Sequence, residues 1–239
     1  MYIKKKDFKD RIINSLNNKR YFELSKHFKR FTSYIYPNIK DDDLIICNKK
    51  KGSKIDFQIE VNQVRKNVSV KNGDIIYVYK DRIMNLVLFL LSINVSKECI
   101  MAILYYHYGD GTLDGSGSYI NSFSGLLCED YKKEIEIVNN EFKNKELLGK
   151  VIDYLLINEK SGKMVDYFYY GDERSASYAT SSIVRENIIN EDNNYPHKFM
   201  RIGVMNFHPL KRSYCFLDSN LSYKHICVLK LNLGKYIKK

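Results

Sequence analysis

The segment KIDFQIEVNQVRKNVSVKN, from Lys54 to Asn72, alternates apolar and polar residues on both sides of a polar turn. A period of two is typical of β-strands, because successive side chains project to opposite faces of a sheet. The segment therefore predicts two antiparallel strands, at 54–63 and 64–72. The stretch DIIYVYK at 74–80 predicts a third strand directly after them.

The same alternation places charged side chains on shared faces of this hairpin. Asp56 and Glu60 share one face of the first strand, and Ser69 and Lys71 share one face of the second. A register of the two strands can then bring the Asp56 carboxylate and the Lys71 ammonium group together. Phosphodiester hydrolysis needs such a set: oxygen donors that hold a hard divalent cation, and a lysine that positions or activates the attacking water.

The remaining chain mixes helical and strand patterns. Apolar residues at helical spacing predict one broken helix or two short ones within 6–34, and further helices at 81–93, 96–107, 127–158 and 175–189. Other strands are predicted in DLIICNKK, MVDYFYY, FMRIGVMNF and HICVLKLNL. This order predicts an α+β (mixed α/β) fold. We predict one domain over 1–239, with a helical N-terminal part at 1–40, catalytic strands at 43–80, a helical middle at 81–190 and a C-terminal strand region at 199–239.

Charge is the most informative feature of the composition. The 239 residues include 39 Lys and Arg against 28 Asp and Glu, a net charge of +11, with 44% hydrophobic residues. Residues 1–30 carry ten basic and three acidic residues, and residues 198–239 carry nine and one. Both ends could bind a polyanion, so nucleic acid is the leading partner; basic tails that only keep the protein in solution are the alternative.

Cysteine usage and hydropathy exclude other classes. The five cysteines are scattered and form no CxxC pair, which argues against a disulfide scaffold or a zinc finger. The longest apolar run, at 83–95, is shorter than the ~20 residues of a membrane span, and no signal peptide is recognisable. We therefore expect a cytoplasmic protein.

The hairpin resembles the PD-(D/E)xK nuclease superfamily, and within it the small type II restriction endonucleases. In that family an Asp at the start of one strand is followed by (D/E)xK on the next. Here Asp56 is followed after thirteen positions by Ser69-Val70-Lys71. Ile55 stands where the family often has Pro, and Ser69 stands where it has Asp or Glu. The resemblance implies a restriction-endonuclease-like core, a central mixed sheet flanked by helices.

The resemblance also implies roles for particular residues. Asp56, Ser69 and Lys71 would be catalytic. Asp56 and the Val70 carbonyl would bind one or two Mg²⁺ ions, and Glu60 or Glu23 would supply the acidic group that Ser69 lacks.

A second, shorter resemblance lies in FMRIGVMNFHPLKRS, at 199–213. It is similar to a strand segment that some small restriction endonucleases place against DNA; an ordinary edge strand is the alternative. The candidate DNA-binding residues are Asn72, Arg201, His208, Lys211 and Arg212.

These observations predict a magnesium-dependent endonuclease that cuts double-stranded DNA at a specific sequence. A palindromic site would imply a homodimer on DNA. The resemblance to restriction endonucleases also implies a companion DNA methyltransferase as a separate protein. Two alternatives stay open: a nucleic-acid-binding protein without catalysis, and a nuclease of the same fold that acts on RNA or branched DNA.

Overall fold

The computed structural model describes residues 7–117, 129–191, 199–210 and 224–237. The chain divides into two compact units. The first contains Met1–Asp74, Leu156–Asn187 and Asn232–Lys239, and the second contains Ile75–Leu155 and Ile188–Leu231. The single nuclease domain over 1–239 stays a prediction.

The helices, in chain order, are α1 (Asp7–Leu16), α2 (Lys26–Ile35), α3 (Ile83–Ser92), α4 (Lys97–Tyr108), α5 (Lys132–Glu141), α6 (Lys145–Ile152), α7 (Ser181–Ile189) and α8 (Gly234–Ile237). The strands are β1 (Lys19–Arg20), β2 (Leu44–Lys49), β3 (Phe57–Val61), β4 (Val64–Lys71), β5 (Ile76–Arg82), β6 (Tyr167–Gly171), β7 (Ala176–Thr180), β8 (Arg201–Ile202), β9 (Met205–Pro209) and β10 (Ile226–Leu231). Short 3₁₀ turns lie at Tyr21–Glu23 and Glu129–Tyr131, and a π-helical turn lies at Asp153–Ile157.

The first unit contains a six-stranded mixed sheet in the order β1-β2-β3-β4-β6-β7. Strands β4 and β6 run parallel, and the other neighbours run antiparallel. Strands β3 and β4 form the predicted hairpin, with Phe57 opposite Val68 and Val61 opposite Val64. Its two turn residues, Asn62 and Gln63, both have positive φ angles, 50° and 67°. Two such residues give a turn whose twist matches that of the strands, which fixes the register.

One face of this sheet packs against α1 and α2. Phe57 and Ile59 of β3 are fully buried in a cluster with Leu16 of α1 and Phe31 of α2. Val68 and Val70 of β4 belong to the same cluster. Because side chains alternate along a strand, Ser69 and Lys71 project to the other face, whereas Asp56 precedes β3 and its carboxylate accepts from the Val70 N–H.

Three consecutive residues of α1 attach this helix to the sheet. Lys9 pairs with Asp56 and Asp10 pairs with Lys49, while the Arg11 Nε atom lies 2.9 Å from a Glu173 carboxylate oxygen. The N-terminal helix is therefore held against the end of β2, the segment that precedes β3 and the segment that follows β6.

The second unit contains an antiparallel four-stranded sheet in the order β5-β10-β9-β8, together with α3 to α6. Helix α4 is capped by Ser96, whose hydroxyl accepts a hydrogen bond from Cys99 N at 3.2 Å. It ends at Gly109, whose φ of 59° is left-handed. Within the described ranges of the chain, every helix is too short or too polar to cross a bilayer.

The predicted class, a mixed α+β fold with a central mixed sheet flanked by helices, is confirmed. Two element predictions differ from the structure. The strand predicted at 74–80 forms as β5, but it pairs with β10 rather than with the hairpin. The helix predicted at 175–189 begins only at Ser181, because Ala176–Thr180 pairs with β6 as a strand and buries Ala179.

Candidate active site

Asp56 lies directly before β3, and its backbone and side chain both bind to the end of β4. Its N–H donates to the Val68 carbonyl at 2.9 Å, and its Oδ2 accepts from the Val70 N–H at 2.7 Å. The side chain is 13% exposed. The carboxylate orientation is therefore set by the strand pairing.

Lys71 is the last residue of β4 and lies beside Asp56. Its Nζ lies 3.9 Å from Asp56 Oδ2, and its side chain is 25% exposed. Burial lowers the pKa of Lys71; the Asp56 carboxylate opposes this shift, and the Lys9 ammonium group adds to it. Lys71 therefore gives up its proton more easily than a solvated lysine does.

A second ammonium group reaches Asp56 from α1. Lys9 Nζ donates to Asp56 Oδ1, and the Lys9 side chain is 34% exposed. Lys9 was not among the predicted site residues, because the family pattern points to an acidic residue in the N-terminal part of the chain. Residues 9 and 56 are 47 positions apart, and no local pattern connects them.

Ser69 is close to Asp56 in the hairpin, but its side chain forms a hydrogen bond with the backbone. The side chain is fully buried, and its Oγ donates to the Lys54 carbonyl at 2.8 Å. An acidic side chain at this position would face the same carbonyl oxygen and would be repelled by it. The hydroxyl therefore fits this position better than the acid of the family pattern.

Ile55, the other departure from the family pattern, also has a local explanation. Its N–H donates to Ser53 Oγ at 3.0 Å and to Glu159 Oε1 at 3.2 Å, and its side chain is 2% exposed. Proline has no N–H and could not make these bonds. Ile55 thus anchors the segment that carries Asp56.

Glu60 or Glu23 was expected to lie beside Asp56, and neither does. Glu60 lies four residues further along the chain, which corresponds to about 13 Å in an extended strand. It accepts a hydrogen bond from Arg65 Nε at 2.7 Å. Glu23 Oε2 accepts from the Arg20 N–H at 2.6 Å and so caps a 3₁₀ turn.

The oxygen donors that remain for a cation are few. Among the described residues, no three His, Cys, Asp or Glu side chains lie together as a metal-binding group. Asp56 offers a carboxylate, and the Val70 carbonyl projects to the same strand edge as the Val70 N–H. Both are hard donors, and Mg²⁺ is often held by one or two carboxylates together with substrate phosphates. The Lys9 ammonium group already binds this carboxylate as a cation. The Asp56 carboxylate and the Val70 carbonyl therefore fit the part of a Mg²⁺ site that the protein would supply.

The predicted DNA-binding residues fall in different parts of the chain. Asn72 is exposed and follows Lys71 in the first unit, whereas Arg201 and His208 belong to the second unit. Burial, together with the Lys230 charge, lowers the pKa of His208 to about 4, so this imidazole is neutral at pH 7. Lys211 and Arg212 lie outside the described residues.

This architecture is that of the restriction-endonuclease-like fold class. No family model and no curated protein matches the chain. Among solved structures, the chain is similar to restriction endonuclease MspI, crystallised in complex with its cognate DNA, with a TM-score of 0.51. The match covers 95% of this chain and 88% of that chain at 10% sequence identity. At that identity, the similarity establishes the fold.

Proposed function

We propose that this protein is an endonuclease that hydrolyses phosphodiester bonds of double-stranded DNA, and more narrowly a type II restriction enzyme. The observation that carries the proposal is the Asp56–Lys71 pair. These two side chains approach to 3.9 Å at the end of adjacent strands, in a fold similar to that of a restriction endonuclease crystallised with DNA.

Asp56 would act as the anchor of the site. The Val70 N–H holds one carboxylate oxygen in place, so the side chain needs little reorganisation when substrate arrives. Mg²⁺, held by Asp56 and the Val70 carbonyl, would supply Lewis-acid activation of the phosphate and of a bound water.

Lys71 would position the attacking water and take up or share its proton. Burial favours the neutral amine, which can accept that proton. Once protonated, the ammonium group stabilises the negative charge that develops on the phosphate oxygens. Its 25% exposed side chain keeps the nitrogen within reach of a bound phosphate.

The charge of the chain supports DNA as the substrate. A net charge of +11, with ten basic residues among the first thirty, favours a polyanion over a neutral or cationic substrate. Binding should weaken steeply with salt, because each phosphate contact releases condensed counterions.

The decisive experiment incubates wild-type protein with supercoiled plasmid and Mg²⁺. Discrete fragments are expected from wild type and from Glu60→Gln, a control carboxylate in the same hairpin, and no fragments from Asp56→Asn. A plasmid that stays intact with Mg²⁺, Mn²⁺ and Ca²⁺ would contradict the proposal.

Specific restriction carries three further expectations. The protein would act in the cytoplasm, as a homodimer if the site is palindromic, and a companion DNA methyltransferase would protect the host sequence. Sedimentation with and without duplex DNA tests the dimer. Cleavage of plasmid methylated by the companion enzyme tests protection.

A nucleic-acid-binding protein without catalysis is the second candidate. The small number of acidic donors near Asp56 among the described residues favours it. It predicts salt-dependent binding that Lys71→Ala leaves nearly unchanged, and no cleavage of any substrate. A panel of duplex DNA, branched DNA and RNA separates it from a nuclease of the same fold with another substrate.

A further inference from the structure

Lys9 reaches the candidate active site from a part of the chain that the family pattern does not include. Its ammonium group binds one oxygen of Asp56, and that of Lys71 lies 3.9 Å from the other. Lys9 is 34% exposed and Asp56 is 13% exposed. The Lys9 side chain is therefore the more accessible partner of this ion pair.

The local charge determines what this cluster attracts. Two ammonium groups face one carboxylate, so one positive charge is left over when both lysines are protonated. An ammonium group has three N–H donors, and Asp56 uses one of those on Lys9. The other two can donate to the oxygens of a phosphodiester. A divalent cation, by contrast, has to compete with Lys9 for the same carboxylate oxygen.

We propose that Lys9 is a further catalytic residue: its ammonium group occupies the cation position on Asp56 in the DNA-free protein, and it binds a non-bridging oxygen of the scissile phosphate in the complex. This inference rests on the proposed function. In the complex, Lys9 and Lys71 both stabilise the negative charge that develops on the scissile phosphate.

Metal binding without DNA tests the first half of the proposal. Lys9→Met removes the competing cation and keeps the length of the side chain. Mn²⁺ binding to the DNA-free full-length protein, measured by electron paramagnetic resonance, should tighten about fivefold. The control is Lys49→Met, which removes the neighbouring ion pair between α1 and β2 but leaves Asp56 untouched. Equal Mn²⁺ affinities for the two variants would overturn this half.

Cleavage kinetics test the second half. With saturating duplex DNA and Mg²⁺, Lys9→Met should lower kcat at least about tenfold with little change in KM, because the lost contact is made at the reacting phosphate. Lys49→Met should keep the wild-type kcat. Lys9→Arg keeps the charge and should recover part of the rate, which also guards against a folding defect in Lys9→Met.

The two proposals fail in different ways. If wild type cleaves no DNA, the proposed function falls, and with it the phosphate contact of Lys9, whereas the Mn²⁺ result still decides whether Lys9 blocks the cation position. If wild type cleaves and Lys9→Met has the kcat of Lys49→Met, only the role of Lys9 is overturned.

Discussion

The β3/β4 hairpin carries a carboxylate and a cation at each end. At the turn end, Glu60 and Arg65 are 2.7 Å apart, and Arg65 is 64% exposed. At the other end, Asp56 and Lys71 are 3.9 Å apart, and their side chains are 13% and 25% exposed. The closer pair is the more solvated one, and exposed pairs contribute little to stability. In the looser pair, burial lowers the pKa of Lys71, and shifted pKa values are typical of functional sites.

The largest expected effect comes from neutralising the carboxylate of each pair in turn. Asp56→Asn should reduce plasmid cleavage by about 10³-fold or more, because it removes the carboxylate charge that lies 3.9 Å from the Lys71 amine and that would hold the metal ion. Glu60→Gln should stay within about twofold of wild type, since Glu60 only binds Arg65. Initial cleavage rates at saturating Mg²⁺ measure both. A comparable loss in both variants would mean that the two ends of the hairpin are not functionally different.

Removing the cation of each pair is the next test. Lys71→Ala should lower kcat by about 10²- to 10⁴-fold, the range of a general acid or base. In wild type the rate should rise with pH through the lowered pKa of Lys71, because the neutral amine forms. The rate that remains in Lys71→Ala should lack this part of the pH dependence. Arg65→Ala serves as control and should keep the wild-type pH profile. The same pH profile in Lys71→Ala and wild type would rule out Lys71 as the base.

A half-buried titratable group outside the hairpin, His208, gives a smaller, thermodynamic effect. The pKa of His208 is lowered to about 4, whereas an unfolded chain has the ordinary value of 6.5. The unfolded state therefore binds more protons between these values, so stability is complete above pH 6.5 and falls as the pH drops towards 4. For this half-buried side chain we expect a loss of about 1 to 2 kcal/mol over that window.

Urea unfolding at several pH values checks this effect. His208→Gln should show a flatter stability profile between pH 4 and pH 6.5 than wild type does. Parallel profiles for the two proteins would show that burial of this imidazole has no thermodynamic consequence.

The smallest effect concerns the stability of the exposed pair. Arg65→Ala should change the free energy of unfolding by less than about 1 kcal/mol, as expected for a surface ion pair. Thermal unfolding at low and high salt measures it, and the small difference should shrink with added salt. A larger loss would show that the turn end depends on this pair.

The hairpin could be predicted from the sequence because its signals are local. Alternation of apolar and polar residues gives the strands, and the Asn62-Gln63 turn sets their register. Asp56 and Lys71 then meet as a consequence of that register. The predicted class of fold follows from the same patterns along the rest of the chain.

Features that depend on distant contacts were not predicted. Strand β5 pairs with β10, which comes near the end of the chain. The segment Ala176–Thr180 is a strand because its backbone pairs with the edge of β6. The contact of Lys9 with Asp56 depends on how α1 packs against the sheet, and no pattern within either segment encodes it.

Because side chains alternate along β4, the position of the Lys71 amine depends on the number of residues between the hairpin turn and Lys71. One amino acid inserted into β4 ahead of Ser69 would turn Lys71 towards the α1 and α2 side and bring a valine to face Asp56. Two inserted amino acids would restore the parity but would move Lys71 about 7 Å further along the strand, away from Asp56. Activity should therefore be lost with one inserted amino acid and also with two, because the contact with Asp56 needs both the face and the position of Lys71 along β4.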